Sequence, residues 1–317
     1  MVQHGVWDIV PKASLPPKTK ILKSTWAMKP KADGTKRAQL TTKGCSQIPG
    51  QHYDDNNILS PVTNTYSIRI AFMLLCGFVG WVVDVNGAFL LGEFKKGDPE
   101  IYMDIPEGME KWYTKYTEPV VAKLKKCIYG TKQAAKYYYD KVVTVMKDMQ
   151  CERSKADPCL FFKWDPTWGL VMWLTWIDDK LCIGHANRVE HEKELLKGHF
   201  KCDDIGKVKD YIGCKLDIAD DGRSLKMTQP VLVQSLTDEF KDIIQGKSPT
   251  VPAKPGNILT KCENSDKLDA DQHSRYWTGV GKLLYLTKHS RPDIANAVRD
   301  LARHCYDPME AHLDSMC

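Results

Sequence analysis

Two carboxylates stand side by side in the middle of an otherwise apolar stretch. The segment runs Gly169-Leu170-Val171-Met172-Trp173-Leu174-Thr175-Trp176-Ile177-Asp178-Asp179-Lys180-Leu181-Cys182-Ile183-Gly184. No Gly, Pro or Asn separates the two flanking runs. Each run has strand length and is rich in aromatic and branched residues, so the segment reads as a β-hairpin with the acids at its tight turn. An Asp-Asp turn by itself is ordinary solvated turn chemistry. Far upstream, however, Phe78-Val79-Gly80-Trp81-Val82-Val83-Asp84-Val85 is a second apolar strand with one acid near its end. Carboxylates at the ends of core strands are costly unless they are paired or bind a cation. Three such oxygen donors suit hard Mg²⁺ ions, and carboxylate-held metal pairs are the basis of two-metal phosphoryl transfer.

A coarse pass along the chain gives alternating helices and strands without internal repeats. Lys20–Lys31 and Thr35–Lys43 read as two strands joined at Asp33-Gly34, a hairpin signal. Ser67 is placed to cap an apolar helix over 68–78. Gln133–Met149 reads as a helix with Tyr138, Val142, Val145 and Met149 along one face. Val189–Phe200 reads as another, with Glu190, Glu192, Lys193 and Glu194 facing solvent. Beyond Gln229 the chain turns helical again, with a loop at Pro249–Pro255 and a last helix from Pro292 to His304.

Composition sets bounds. The 317 residues suffice for two or three subdomains around a sizeable core. No run of about 18 apolar residues is present, and no signal peptide opens the chain, so no membrane partner is expected. Eleven cysteines are scattered singly without a Cys-x-x-Cys pair, which points to reduced thiols in an intracellular protein rather than zinc or disulfides. Net charge is only +5, but residues 1–50 carry Lys12, Lys18, Lys20, Lys23, Lys29, Lys31, Lys36, Arg37 and Lys43 against Asp8 and Asp33. That field suits a nucleic-acid strand or a triphosphate, and equally a merely soluble basic surface.

A colinear series of segments resembles the reverse transcriptase of copia-type LTR retrotransposons. Trp26-Ala27-Met28-Lys29-Pro30-Lys31, then Leu40, Lys43-Gly44 and Gln47, are similar to its opening motifs. Ser60-Pro61-Val62 with Ser67-Ile68-Arg69 follows, and Asp84-Val85-Asn86-Gly87-Ala88-Phe89-Leu90-Leu91-Gly92 looks like its first catalytic strand. Next come Ile101-Tyr102-Met103, Pro106-Glu107-Gly108 and Tyr129-Gly130-Thr131-Lys132-Gln133-Ala134. Asp157-Pro158-Cys159-Leu160-Phe161 leads to Trp176-Ile177-Asp178-Asp179, similar to the family's Tyr-Val-Asp-Asp box. Gly281-Lys282-Leu283-Leu284-Tyr285-Leu286 and Arg291-Pro292-Asp293-Ile294 resemble its last block.

The resemblance implies an α+β right-hand polymerase with a small antiparallel palm sheet backed by helices. Fingers would come from 1–77 and 93–135, palm from 78–92 and 136–228, and thumb from 229–317. It implies an RNA-directed DNA polymerase that extends a primer on an RNA or DNA template with dNTPs, using two Mg²⁺ ions, with Mn²⁺ as a substitute. Asp84, Asp178 and Asp179 would be the catalytic, metal-binding acids. Lys31, Arg37, Val85, Phe89 and Gln133 would meet the nucleotide, Phe89 as the bulk beneath the incoming sugar that excludes a 2′-hydroxyl. Phe89 read without the family is an ordinary core residue. Tyr211 and Gly213 would hold the primer, although a strand aromatic beside a small residue needs no such role.

The departures point the other way. Gln39 stands where the family has Arg, losing a charge-assisted contact of about 1.5–3 kcal/mol that Arg37 is placed to restore. Trp176 replaces the usual Tyr, and Thr131 and Ala135 replace Leu and Pro. No spaced acids of an RNase H domain follow. The chain reads as an excised polyprotein piece or a free-standing descendant, cytoplasmic in a virus-like particle or nuclear. The alternative function is a domesticated nucleic-acid-binding protein, weak or inactive as a polymerase. Nothing specific speaks for a third, non-templated nucleotidyltransferase. Oligomeric state is not legible.

Overall fold

The structure, a computed structural model, describes residues 5–30, 34–244, 251–253, 256, 258–260 and 265–316. The fold is α+β, and the chain divides by packing into two units, 1–67 with 79–206 and 68–78 with 207–317.

In chain order the strands up to residue 124 are β1 (Trp7–Pro11), β2 (Ile21–Leu22), β3 (Ser24–Pro30), β4 (Lys36–Thr42), β5 (Val79–Val85), β6 (Tyr102–Asp104) and β7 (Val120–Leu124). Helix α1 (Thr65–Leu74) lies between β4 and β5. After β7 come α2 (Ala134–Asp148), β8 (Glu152–Arg153), β9 (Leu160–Asp165), β10 (Gly169–Trp176), β11 (Asp179–Gly184), α3 (Ala186–His199) and β12 (Cys202–Lys207).

The first unit is organised by a six-stranded sheet of order β12-β5-β11-β10-β9-β8. β10 and β11 form the hairpin expected around the acids, with Trp176 opposite Asp179 and Ile177-Asp178 as the connection. Trp173, Phe161, Val171, Val83 and Cys182 point from the sheet into a core closed by α2 and α3. The predicted face of α2 does the closing: Tyr138, Val142, Val145 and Met149 are all buried. Each such side chain removed from water contributes about 1.5–3 kcal/mol, so this layer holds the acid-bearing strands rigidly. A second sheet, β1-β7-β6-β2, buries Leu22, Ile101, Met103, Ala122 and Leu124. The expected hairpin is present as β3–β4, with Trp26 opposite Leu40, but the expected first strand is split, because Ile21–Leu22 pairs with β6 in the second sheet; Lys31 and Asp33 lie outside the described residues.

Two glycines in motif segments are explained by close approach. A Cβ on Gly130, whose φ is +91°, would sit 2.1 Å from the Thr42 carbonyl oxygen, and one on Gly44 would sit 1.8 Å from the Gly130 oxygen. Only glycine lets the end of β4 meet the 129–130 turn, where the Thr42 N–H donates to the Tyr129 carbonyl (2.8 Å).

Three local expectations are corrected. Helix α1 begins at Thr65, ahead of Ser67, because the Asn64 side chain accepts the Tyr66 N–H (2.9 Å) and so caps the helix itself. Asp157 in turn accepts the Asn64 N–H (2.8 Å). On α3, Glu190 and Glu194 face solvent but Glu192 and Lys193 are buried. Glu192 pairs with Lys163 (2.8 Å) and Arg188 (3.0 Å), while Lys193 pairs with Asp204 (3.1 Å) and sits 3.7 Å from the Trp81 ring centroid. Partners on β9 and β12 decide that burial, and helical periodicity alone does not see them. The last predicted helix is a 3₁₀ turn (Pro292–Ile294) followed by an α-helix ending at Ala302.

The second unit contains a three-stranded sheet, β13 (Asp210–Tyr211), β14 (Cys214–Ile218) and β15 (Leu225–Thr228). Its helices α4 (Pro230–Glu239), α5 (Lys241–Ile244), α6 (Ala270–Lys288), α7 (Ala295–Ala302) and α8 (Glu310–Met316) share a core of Phe240, Tyr276, Val280, Leu301 and Leu313. Among the described residues no helix is long and apolar enough to cross a membrane.

Candidate functional site

The three acids meet at the end of the six-stranded sheet. Asp84 is the register partner of Asp179 across β5 and β11, and the Val85 N–H donates to the Asp178 carbonyl (3.1 Å). Strand pairing thus fixes two carboxylates directly opposite each other, with the third one residue away. Like charges in that position repel. Burial first, then Asp178 and Asp203, raise the Asp84 carboxyl above its ordinary value; Lys180 and Arg37 pull it back down. Burial, then Asp178 and Asp84, raise Asp179. The site is short of positive charge, and its half-buried hard oxygens fit Mg²⁺ by donor chemistry. They are not drawn into a finished cage: among the described residues no three His, Cys, Asp or Glu side chains are grouped to hold an ion.

The turn that carries Asp178 is strained. Ile177, β-branched and exposed, has φ +50°, a left-handed backbone that costs an L-residue about 1–2 kcal/mol. Beneath it, the Lys180 ammonium donates to the Ile177 carbonyl oxygen. Lys180 is completely buried, and burial outweighs the attraction of Asp178 and Asp179 to push it down to about 8.

Arg37 and Gln39 share one face of β4, and strand alternation puts the buried Leu40 and Thr42 on the other. The Arg37 charge works to lower both the Asp84 carboxyl and the Tyr129 hydroxyl, against the burial that raises them. Lys31 lies outside the described residues. Phe89 follows the Asp84 strand in a 3₁₀ turn, Ala88–Leu91, and packs against Tyr129 (ring centroids 5.1 Å apart) and Tyr138 (6.4 Å). With Ser60, Tyr138, Thr175, Ile177 and Lys180 it lines a cavity of about 30 Å³.

Two of the expected nucleotide contacts, Val85 and Gln133, lie in buried surroundings. The Val85 side chain is buried in the core and its N–H is spent on Asp178. Gln133 is buried too. Its oxygen accepts from Gln47 (3.1 Å), and its amide donates to the His52 carbonyl (3.1 Å). Gln47 in turn accepts the Lys132 N–H (2.8 Å). These amides brace the loops around the site. In the second unit, Tyr211 pairs with Cys214 across a two-residue turn, Ile212-Gly213, with φ of +49° and +69°. Gly213 is exposed, whereas the Tyr211 ring packs inward, edge-on to Phe72 (6.3 Å). The Ile212 carbonyl accepts from the Tyr285 hydroxyl (3.0 Å).

Four neighbours of the acids escaped the sequence reading: Tyr129, Tyr138, Lys180 and Asp203. Asp203, on β12, accepts from the Asn86 side-chain amide (3.1 Å). Lys180 alone carried a signal, as a lysine inside an apolar strand; the others become neighbours only through sheet order.

Comparisons with known proteins bear on the family. A sequence model of the family described as reverse transcriptase (RNA-dependent DNA polymerase) matches residues 4–254. A retrovirus-related Pol polyprotein from transposon TNT 1-94 of Nicotiana tabacum is 29% identical over 99% of the chain. A retrovirus-related Pol polyprotein from transposon RE1 of Arabidopsis thaliana is 28% identical over 99%. The transposon Ty5-1 protein of Saccharomyces cerevisiae is 24% identical over 74% of the chain and 72% of its own length. The chain spans 24% and 21% of the two plant polyproteins. With most of its length matched and its three acids brought to one sheet end, the chain belongs to the reverse transcriptase (RNA-dependent DNA polymerase) family of copia-type retrotransposons.

Proposed function

We propose that this chain is the polymerase portion of a retrotransposon Pol protein, extending a primer with dNTPs on an RNA or DNA template. The observation that carries the reading is the register pairing of Asp84 with Asp179 beside Asp178. Asp84 and Asp178 would be the principal ligands of two Mg²⁺ ions, with Asp179 completing the set. Bound Mg²⁺ supplies charge neutralisation on the triphosphate and a more acidic primer hydroxyl. The protein's own part is positional. Arg37 would grip phosphate oxygens through its planar fork, from the face on which Gln39 has taken the place of the family's Arg. Phe89, wedged against Tyr129 and Tyr138, would set the floor under the sugar and leave no room for a 2′-hydroxyl. The Ile212-Gly213 turn would steady the primer, and the fingers, palm and thumb would follow the boundaries given above.

Primer extension on matched RNA and DNA templates tests the reading, with dNTPs or rNTPs and Mg²⁺. Wild type is expected to make template-dependent DNA, and Asp178→Asn to lose at least about a thousandfold in rate. Phe89→Ala is expected to admit rNTPs while retaining dNTP incorporation. No product from wild type, with template binding intact, would favour a binding protein on the same fold, and Gln39→Arg would then be the variant to assay.

A further inference from the structure

Ser60-Pro61-Val62 and Asp157-Pro158-Cys159 hold none of the three acids, yet buried side-chain bonds tie both segments to β10. The Thr63 hydroxyl donates to the Thr175 carbonyl (2.7 Å). Thr175 donates its own N–H (3.0 Å) and hydroxyl (3.1 Å) to the Cys159 carbonyl. Asp157 accepts the Asn64 N–H on one oxygen (2.8 Å) and the Cys159 N–H on the other (2.8 Å). The Cys159 thiol reaches back to the Pro61 carbonyl (3.5 Å). Thr63, Asp157, Cys159 and Thr175 are all buried, and hydrogen bonds to a carboxylate are stronger than neutral ones. The clamp holds one wall of the cavity beside Phe89. Ser60 and Pro61 line the same space, about 30 Å³, as Phe89, Tyr138, Val142 and Thr175. That is room for roughly one water molecule, so the Phe89 ring can give way inward only if this space opens. Tyr138 and Val142 belong to α2 and Thr175 to β10, whereas Ser60 and Pro61 have no helix or strand of their own. Without its clamp, theirs is the wall that yields.

We propose that Thr63 and Asp157 are positioning residues for sugar selection: by pinning the Ser60-Pro61 wall to β10, they keep the space beside Phe89 closed and the ring in place against a 2′-hydroxyl. The inference rests on the polymerase reading above and on the place of Phe89 in it. Neither residue meets the nucleotide. Each acts through the wall, and the wall through the ring, because a packed side chain moves only into space that its neighbours leave.

The test is single-nucleotide primer extension by the whole chain, read as the ratio of kcat/KM for a dNTP to that for the matching rNTP. Thr63→Val removes the donor to the Thr175 carbonyl at nearly the same shape, and Thr63→Ser keeps it. Thr63→Val is expected to lower the ratio about tenfold, the scale of one buried hydrogen bond, through a lower rNTP KM rather than a lower dNTP kcat. Thr63→Ser is expected to keep the wild-type ratio. Asp157→Asn, which keeps one acceptor oxygen and loses the other, is expected to shift the ratio in the same direction as Thr63→Val. Where Asp157→Asn does not fold, the two Thr63 variants decide alone. A wild-type ratio in Thr63→Val, whatever its melting temperature, would overturn the inference, as would an equal fall in Thr63→Val and Thr63→Ser. With Phe89→Ala admitting rNTPs, either result leaves the polymerase reading intact. Exclusion of rNTPs even by Phe89→Ala would remove the ring as the barrier and the inference with it. No product from wild type would overturn the polymerase reading as well.

Discussion

Ile177 is a single position whose backbone runs against its own propensity. A β-branched residue at φ +50° is a poor choice for a turn, and an asparagine would occupy that backbone more easily. Ile177→Asn is therefore expected to raise stability by about 1 kcal/mol in urea denaturation. A loss instead would mean that the exposed Ile side chain makes a contact worth more than the strain. Gln133 carries the opposite lesson. Its place in a motif invited a ligand role, and its side chain is bonded in a buried amide pair with Gln47.

At the scale of elements, the β10–β11 hairpin and α2 were legible because alternation and the 3.6-residue period each have one clear solution there. α3 was legible in extent but not in facing. Its buried Lys193 belongs to a cluster that fastens β12 beside β5: Asp204 takes hydrogen bonds from Trp81, Lys193 (3.1 Å) and Lys197 (3.1 Å). Burial works to raise the Asp204 carboxyl, but those three donors prevail and hold it at about 2. A depressed carboxyl contributes stability above its unfolded value near 3.8 and loses it as pH falls through its folded value. Asp204→Asn is expected to cost about 1–2 kcal/mol at pH 7, a deficit that shrinks between pH 4 and pH 2 and vanishes below. A pH-independent deficit would mean that the Asp204 charge is not what holds the strand.

For the whole molecule, the proposed metal role of the acids would link Mg²⁺ binding to folding stability. Mg²⁺ at ten times its dissociation constant is expected to add about 1.4 kcal/mol to stability, and EDTA to remove it. Asp178→Asn is expected to show neither effect in a thermal melt. An equal shift in wild type and variant would place the bound Mg²⁺ elsewhere. The packing division into 1–67 with 79–206 and 68–78 with 207–317 was not legible at all. Residues 68–78 join a unit more than a hundred residues away in sequence, and no local pattern encodes that choice.

The sequence by itself determined the family, the α+β class, the acid-bearing hairpin and the face of α2. These rest on local periodicity and on short segments whose order survives at 28–29% identity. Only the tertiary structure decided which groups surround the acids. It set Asp179 against Asp84, brought the charges of Asp203 and Arg37 to bear on Asp84, and put Lys180 beneath the turn. The physical reason is that the field at a carboxylate depends on distance and burial, and both are created by sheet order between residues far apart in the chain.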